Sequence, residues 1–138
     1  MRIRAMTGAV CALALALAAA LPAPACGICI EDRVAAVYDQ PTVDRAVARH
    51  QQVAFFSLNG SLEATPATRR VVTAALERAG IRGSVHVSLE SATASVAFDP
   101  VRASVASIAA AGDRALAPQA LTLEALRVIG ADGKLREP

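Results

Sequence analysis

The stretch VHVSLESATASVAFDP, residues 85–100, decides the fold of this 138-residue chain. Apolar and polar side chains alternate over residues 85–89 and again over residues 94–98, a period of two that predicts two half-buried strands. Their closeness along the chain predicts a hairpin. Asp99-Pro100 then resembles a helix cap followed by a proline at the first helical position. The apolar residues Val101, Val105 and Ile108 continue that predicted helix at helical spacing.

The flanking segments complete a β-α-β-β-α-β order. The run VAFFSL, residues 53–58, is apolar at every position except Ser57, so apolar side chains point to both sides of the chain. This pattern predicts a strand that is buried on both faces. Thr65-Pro66 predicts the start of a helix that ends near Ala79. Residues 121–129 form the predicted last strand, and the polar tail from Gly130 is expected to be loose. This order predicts an α+β fold with a ferredoxin-like antiparallel sheet and two helices on one face.

Two short helices, or one kinked helix, are predicted before the first strand. Their apolar residues recur at helical spacing over Ile30–Tyr38 and over Thr42–Arg49, and Pro41 separates the two segments. In a sheet whose main helices cover one face, Val53 and Phe55 point to the other face. The helical extension is therefore expected to cover them with Val34, Val37, Tyr38, Val43 and Val47.

The first residues predict export. Arg2 and Arg4 precede an apolar run over residues 9–21, and the small residues of Ala23-Pro24-Ala25 suit a cleavage site. A helix needs about 20 apolar residues to cross a bilayer, so this run predicts a secretory signal peptide and a periplasmic location. Cys26 follows the cleavage site directly, which leaves a lipid anchor at Cys26 as an alternative.

Four regions follow: a signal peptide (1–25), a Cys-x-x-Cys and helical extension (26–50), the β-α-β-β-α-β domain (51–130) and a tail (131–138). Loss of the two leader arginines leaves 12 basic and 12 acidic side chains. With three Phe, one Tyr and no Trp, the chain lacks the basic footprint and stacking platforms of nucleic-acid proteins. It also lacks a Ser-His-Asp set, paired catalytic carboxylates and a phosphate loop, so no enzyme activity is predicted.

Residues 51–130 resemble a heavy-metal-associated domain. The resemblance rests on Leu58-Asn59-Gly60 before the first helix, Gly80-Ile81 after it, the VHVSL strand and the VAFDP stretch of residues 96–100. It implies the ferredoxin-like fold and a soft-metal site of two cysteines in the loop after the first strand. In this chain, that loop is SLEATPAT, residues 61–68, and it contains no cysteine. The family's metal site is therefore not carried over to this loop.

Cys26 and Cys29, spaced as Cys-x-x-Cys, would be the only cysteines after cleavage. Two thiolates suit Cu(I), the favoured ion; Zn(II) is also possible with more ligands, from His50, Glu31, Asp32 or a second molecule. We therefore predict an exported metal-binding or metal-responsive protein, with a metal transporter or another periplasmic protein as its partner. The alternatives are a thiol-disulfide redox partner or sensor, because an exported protein meets an oxidising compartment, and an interaction module that no longer binds metal.

Overall fold

The computed structural model describes residues 29–78 and 84–138. In chain order, its elements are α1 (Ile30–Ala35), α2 (Gln40–Ala48), β1 (Gln52–Asn59), α3 (Pro66–Arg78), β2 (Val85–Ser88), β3 (Thr93–Phe98), α4 (Val105–Leu116), β4 (Thr122–Ile129) and β5 (Leu135–Arg136), with a 3-10 helix, Ala117–Gln119, after α4. The predicted α+β class is confirmed. The predicted signal peptide (1–25), Cys26 and Gly80-Ile81 lie outside the described residues.

The five strands form one antiparallel sheet in the order β2-β3-β1-β4-β5. The predicted hairpin is confirmed, because β2 pairs with β3 and Val85 lies opposite Val96. Strand β1 is central and is buried from Val53 to Leu58, as its two-sided apolar sequence predicted. The sheet therefore offers two apolar faces, and each face needs a covering layer.

One face packs against α3 and α4. Phe56 of β1 is fully buried there together with Leu76 of α3 and Leu116 of α4. Gly112 brings α4 close to the sheet, since a Cβ at this position would collide with the side chain of Leu123. The predicted cap of α3 is also confirmed, because the Thr65 hydroxyl oxygen accepts a hydrogen bond from the Thr68 amide at 3.1 Å.

The other face packs against α1 and α2, as the sequence predicted. Val53 and Phe55 are buried against Val34 of α1, Val43 of α2 and Val37 of the turn between them. Across this face, the ring of Tyr38 stacks on the ring of Phe55 with 6.4 Å between centroids. The remaining members of this cluster are Ala46, Val47, Ala97, Leu126 and Ile129.

A β-bulge in β4 supplies both layers with apolar side chains. Phe56 pairs with Ala125, whereas the preceding residue, Phe55, pairs with Arg127, so Leu126 is an extra residue. Leu123, before the bulge, and Val128, after it, are five residues apart and yet both pack on the α3–α4 side, whereas Leu126 and Ile129 pack with the α1–α2 cluster. A bulge adds one residue to a strand, so each side chain after it points to the face opposite to the one that regular alternation would give.

The start of α4 was predicted wrongly. Asp99-Pro100 forms a turn in which the Asp99 carboxylate accepts from the Val101 amide at 2.9 Å, and Val101 is 91% exposed. The helix begins instead at Val105, where Ser104 and Ser107 form a reciprocal capping box. This pair satisfies two backbone donors at the helix start, one more than the Asp99 cap offers.

Two further boundaries differ from the predictions. Helix α2 begins at Gln40, before Pro41, because the Asp39 carboxylate caps it by accepting from the Thr42 amide at 3.0 Å. The tail is not loose. A turn at Gly133, which has a φ of +76°, returns the chain so that β5 pairs with the end of β4.

Candidate functional site

The start of α1 carries Cys29, the one predicted site cysteine among the described residues. Its thiol is exposed, and its side chain makes no capping hydrogen bond. The Cys29 carbonyl oxygen accepts from the Arg33 amide at 3.1 Å, so the backbone of Cys29 belongs to the first turn of the helix. The burial of Val34 on the sheet then holds this turn, and with it the thiol, at a defined place on the fold.

The other predicted donors are distributed differently. Glu31 and Asp32 lie in the first turn of α1, next to Cys29. His50 lies beyond the end of α2, exposed and with a φ of +58°. Within residues 29–78 and 84–138, no three His, Cys, Asp or Glu side chains come together in a group able to hold a metal ion.

His86 belongs to a separate polar cluster on the edge strand β2. Its Nε2 lies 3.3 Å from the hydroxyl of Thr42, and the Arg45 guanidinium donates to the same hydroxyl at 2.9 Å. The hydrogen bond from the Thr42 side chain holds the pKa of Asp39 below its ordinary value, with smaller contributions from the Thr42 amide, His86 and Arg45. His86 is therefore half-buried beside α2. This cluster fastens α2 to the sheet edge.

An apolar cavity of about 210 Å³ opens beside Cys29, between α1 and β5. We call it the α1–β5 cavity. Its lining consists of Ile30, Glu31, Val34, Ala35, Tyr38, Arg127 and Leu135. Ile30 follows Cys29 in the chain, so the lining of the cavity begins at the residue next to Cys29. Ile30, Tyr38 and Leu135 are 38%, 42% and 53% exposed, which leaves an apolar rim in contact with solvent.

Arg127 is the positively charged group in the lining of this cavity. The β4 bulge turns it toward α1, where its guanidinium lies 2.9 Å from the Glu137 carboxylate and 3.8 Å from the Glu31 carboxylate. Only 20% of the Arg127 side chain is exposed, whereas the side chains of Glu31 and Glu137 are 73% and 78% exposed. Two exposed carboxylates therefore lie near the largely buried guanidinium of Arg127.

Sequence reasoning missed both Arg127 and Leu135 as site residues. A signal for Arg127 exists in the sequence, because the alternation of Leu121, Leu123 and Ala125 shifts phase at Leu126, as a bulge requires. The signal for Leu135 is the Asp132-Gly133 dipeptide, which favours a tight turn between two strands.

Comparisons with models of protein families, with curated proteins and with solved structures find no significant match for this chain. Among the described residues, no helix is both long and apolar enough to cross a membrane.

Proposed function

We propose that this chain is an exported metal-handling protein that binds a soft ion through Cys26 and Cys29, with Cu(I) favoured and Zn(II) possible. The observation that carries the proposal is the Cys29 thiol, which is exposed and fixed to a helix that packs on the sheet. A thiolate is the donor that soft and borderline ions prefer, so the donor chemistry fits. Cys26 precedes it by three residues and supplies the second sulfur.

The proposal extends to the fold family. Four strands and two helices follow one another as β1-α3-β2-β3-α4-β4, and α3 with α4 covers one face of the sheet. These features support a ferredoxin-like unit related to heavy-metal-associated domains. Strand β5 and the α1–α2 layer are additions to that unit. In this proposal the added layer carries the metal ligands, and the loop after β1, which lacks cysteine, serves as the capped start of α3.

The proposal assigns the chain no enzymatic reaction and places it in the periplasm, after removal of residues 1–25. Its partner would be a metal transporter or another periplasmic protein that takes over the ion. The exposure of the Cys29 thiol suits such a transfer, because an incoming ligand must reach the bound ion directly.

Metal content tests this function. The protein is recovered from the expressing host, reduced, loaded with Cu(I) or Zn(II), and desalted. Wild-type protein should retain the ion in stoichiometric amount, and the Cys26→Ser/Cys29→Ser variant should lose it. The His86→Ala variant is a matched control, because His86 contacts Thr42 of α2 and is not a proposed ligand, so its loss should not alter retention. Wild-type protein that retains neither ion would refute the proposal.

A thiol-disulfide function is the second candidate, and the accessibility of Cys29 is the observation that favours it. Exchange requires a thiolate that reaches a partner sulfur, and the Cys29 side chain is exposed and makes no capping hydrogen bond. A protein that holds no ion, but whose two cysteines titrate against glutathione as one dithiol with a defined potential, would support this candidate.

A further inference from the structure

We infer that the α1–β5 cavity is the docking surface for an apolar side chain carried on a basic segment of a partner protein. This inference rests on the proposed function, since the partner is the protein that engages the Cys26–Cys29 pair. It adds the chemistry by which that partner is recognised.

Exposed apolar surface is concentrated at this cavity. Five large apolar side chains are exposed in the described part of the chain, and three of them, Ile30, Tyr38 and Leu135, line the cavity. A contiguous exposed apolar patch marks an interaction site more often than scattered single residues do. The volume of about 210 Å³ exceeds the roughly 150 Å³ of a cavity that holds benzene. An aromatic or large aliphatic side chain therefore fits.

Negative charge exceeds positive charge beside the cavity. Glu31 lines it, and Glu137 pairs with Arg127 at its wall, so two exposed carboxylates lie near one largely covered guanidinium. A second copy of the chain would bring two acidic rims together, which is unfavourable. A segment with lysine or arginine on either side of its apolar residue is complementary.

The cavity adjoins the start of α1. Ile30 lies in its lining and Cys29 is the preceding residue, so a docked segment contacts the residue next to Cys29. Docking of this kind raises the local concentration of the partner's own ligand or sulfur near Cys29 without any contact at the metal. The same surface thus binds the partner and holds it near the ion that the partner takes over.

Defined peptides test the inference. The probe is the acetylated, amidated peptide Gly-Lys-Lys-Phe-Lys-Lys-Gly. Two control peptides replace its Phe by Ala or its four Lys by Glu. Binding is followed by NMR on the protein as recovered from the expression host. We expect saturable shifts at the amides of Val34, Tyr38 and Leu135. We also expect affinity about tenfold higher than for either control, and a marked loss of affinity at high salt.

Variants of the protein sharpen the test. Leu135→Ala should weaken binding about tenfold, because it removes an exposed wall of the cavity. Glu31→Gln/Glu137→Gln should remove the preference for the lysine peptide over the glutamate peptide. Val101→Ala is the matched control, because Val101 is the most exposed large apolar residue within residues 29–78 and 84–138 and lies outside the cavity lining, and it should leave binding unchanged.

Three results would overturn the inference: equal affinity for the three peptides, shifts that map away from the cavity, or a wild-type dimer that Leu135→Ala disperses. The Cys26→Ser/Cys29→Ser variant separates this inference from the proposed function. It should bind the basic peptide as the wild type does while it loses the ion. A protein that holds metal but ignores the peptide refutes the docking surface alone. A protein that binds the peptide but holds no metal refutes the metal function alone.

Discussion

Replacement of Phe55 by Ala should release the α1–α2 layer from the sheet while the opposite layer stays folded. Phe55 is fully buried, stacks on Tyr38 and contacts the cluster that α1 and α2 form on β1. Truncation of a buried Phe to Ala costs about 3–5 kcal/mol. The layer itself contributes three buried Val side chains, each worth about 1.5–3 kcal/mol before the entropy of ordering is subtracted. The free energy lost in Phe55→Ala is therefore comparable to the whole free energy that holds the α1–α2 layer on the sheet.

Hydrogen exchange measured by NMR checks this prediction. In Phe55→Ala, amides of residues 33–48 should exchange faster, and those of α3 and α4 should stay protected. Phe56→Ala is the matched control, because the adjacent side chain lies on the other face, between the sheet and the α3–α4 layer. It should accelerate exchange throughout the sheet and lower the melting temperature further. Uniform acceleration in both variants, or an α1–α2 layer that stays protected without Phe55, would refute the two-layer reasoning.

Three further predictions concern local features. Ser104→Ala should destabilise the protein by about 1 kcal/mol in denaturant unfolding, because it removes the cap of α4. Gly112→Ala should also destabilise it, because the new Cβ collides with Leu123 and overpacking costs about 1–3 kcal/mol, more than the roughly 1 kcal/mol of helix propensity that is gained. Asp39→Asn should weaken the dependence of the melting temperature on acidic pH. The hydrogen bond from Thr42 lowers the pKa of Asp39 in the folded protein, so this stabilisation is present above the ordinary value of 3.8 and is lost as the pH falls below it.

Each of these has its own control. Ser104→Asn keeps a side-chain oxygen that can accept from the start of α4, so it should retain most of the stability that Ser104→Ala loses, and equal losses in the two variants would contradict the cap as the cause. Leu123→Ala combined with Gly112→Ala should recover part of the loss if the collision is its cause, and a simple sum of the two losses would contradict that explanation. Asp44→Asn serves as the control for Asp39, and an identical pH profile for the two variants would contradict the role of the cap.

Periodicity alone determined most of the element order in this chain. The alternation in residues 85–98 predicted the hairpin, and the two-sided apolar run of β1 predicted a strand with both faces covered. From that run followed the docking of Val34, Val37 and Val43 on Phe55. These predictions succeed because the spacing of apolar residues along the chain encodes which side chains are buried.

Only the tertiary structure decided where α4 begins, how the tail ends and what surrounds Cys29. Asp99 and Ser104 are both good caps, and the competition between them depends on the reciprocal bond from Ser107. The α1–β5 cavity joins residues of α1 to residues of β4 and β5 at the far end of the sequence. No local pattern encodes such a meeting, because it depends on a bulge that re-aims Arg127 and on a turn that returns Leu135 to the sheet edge.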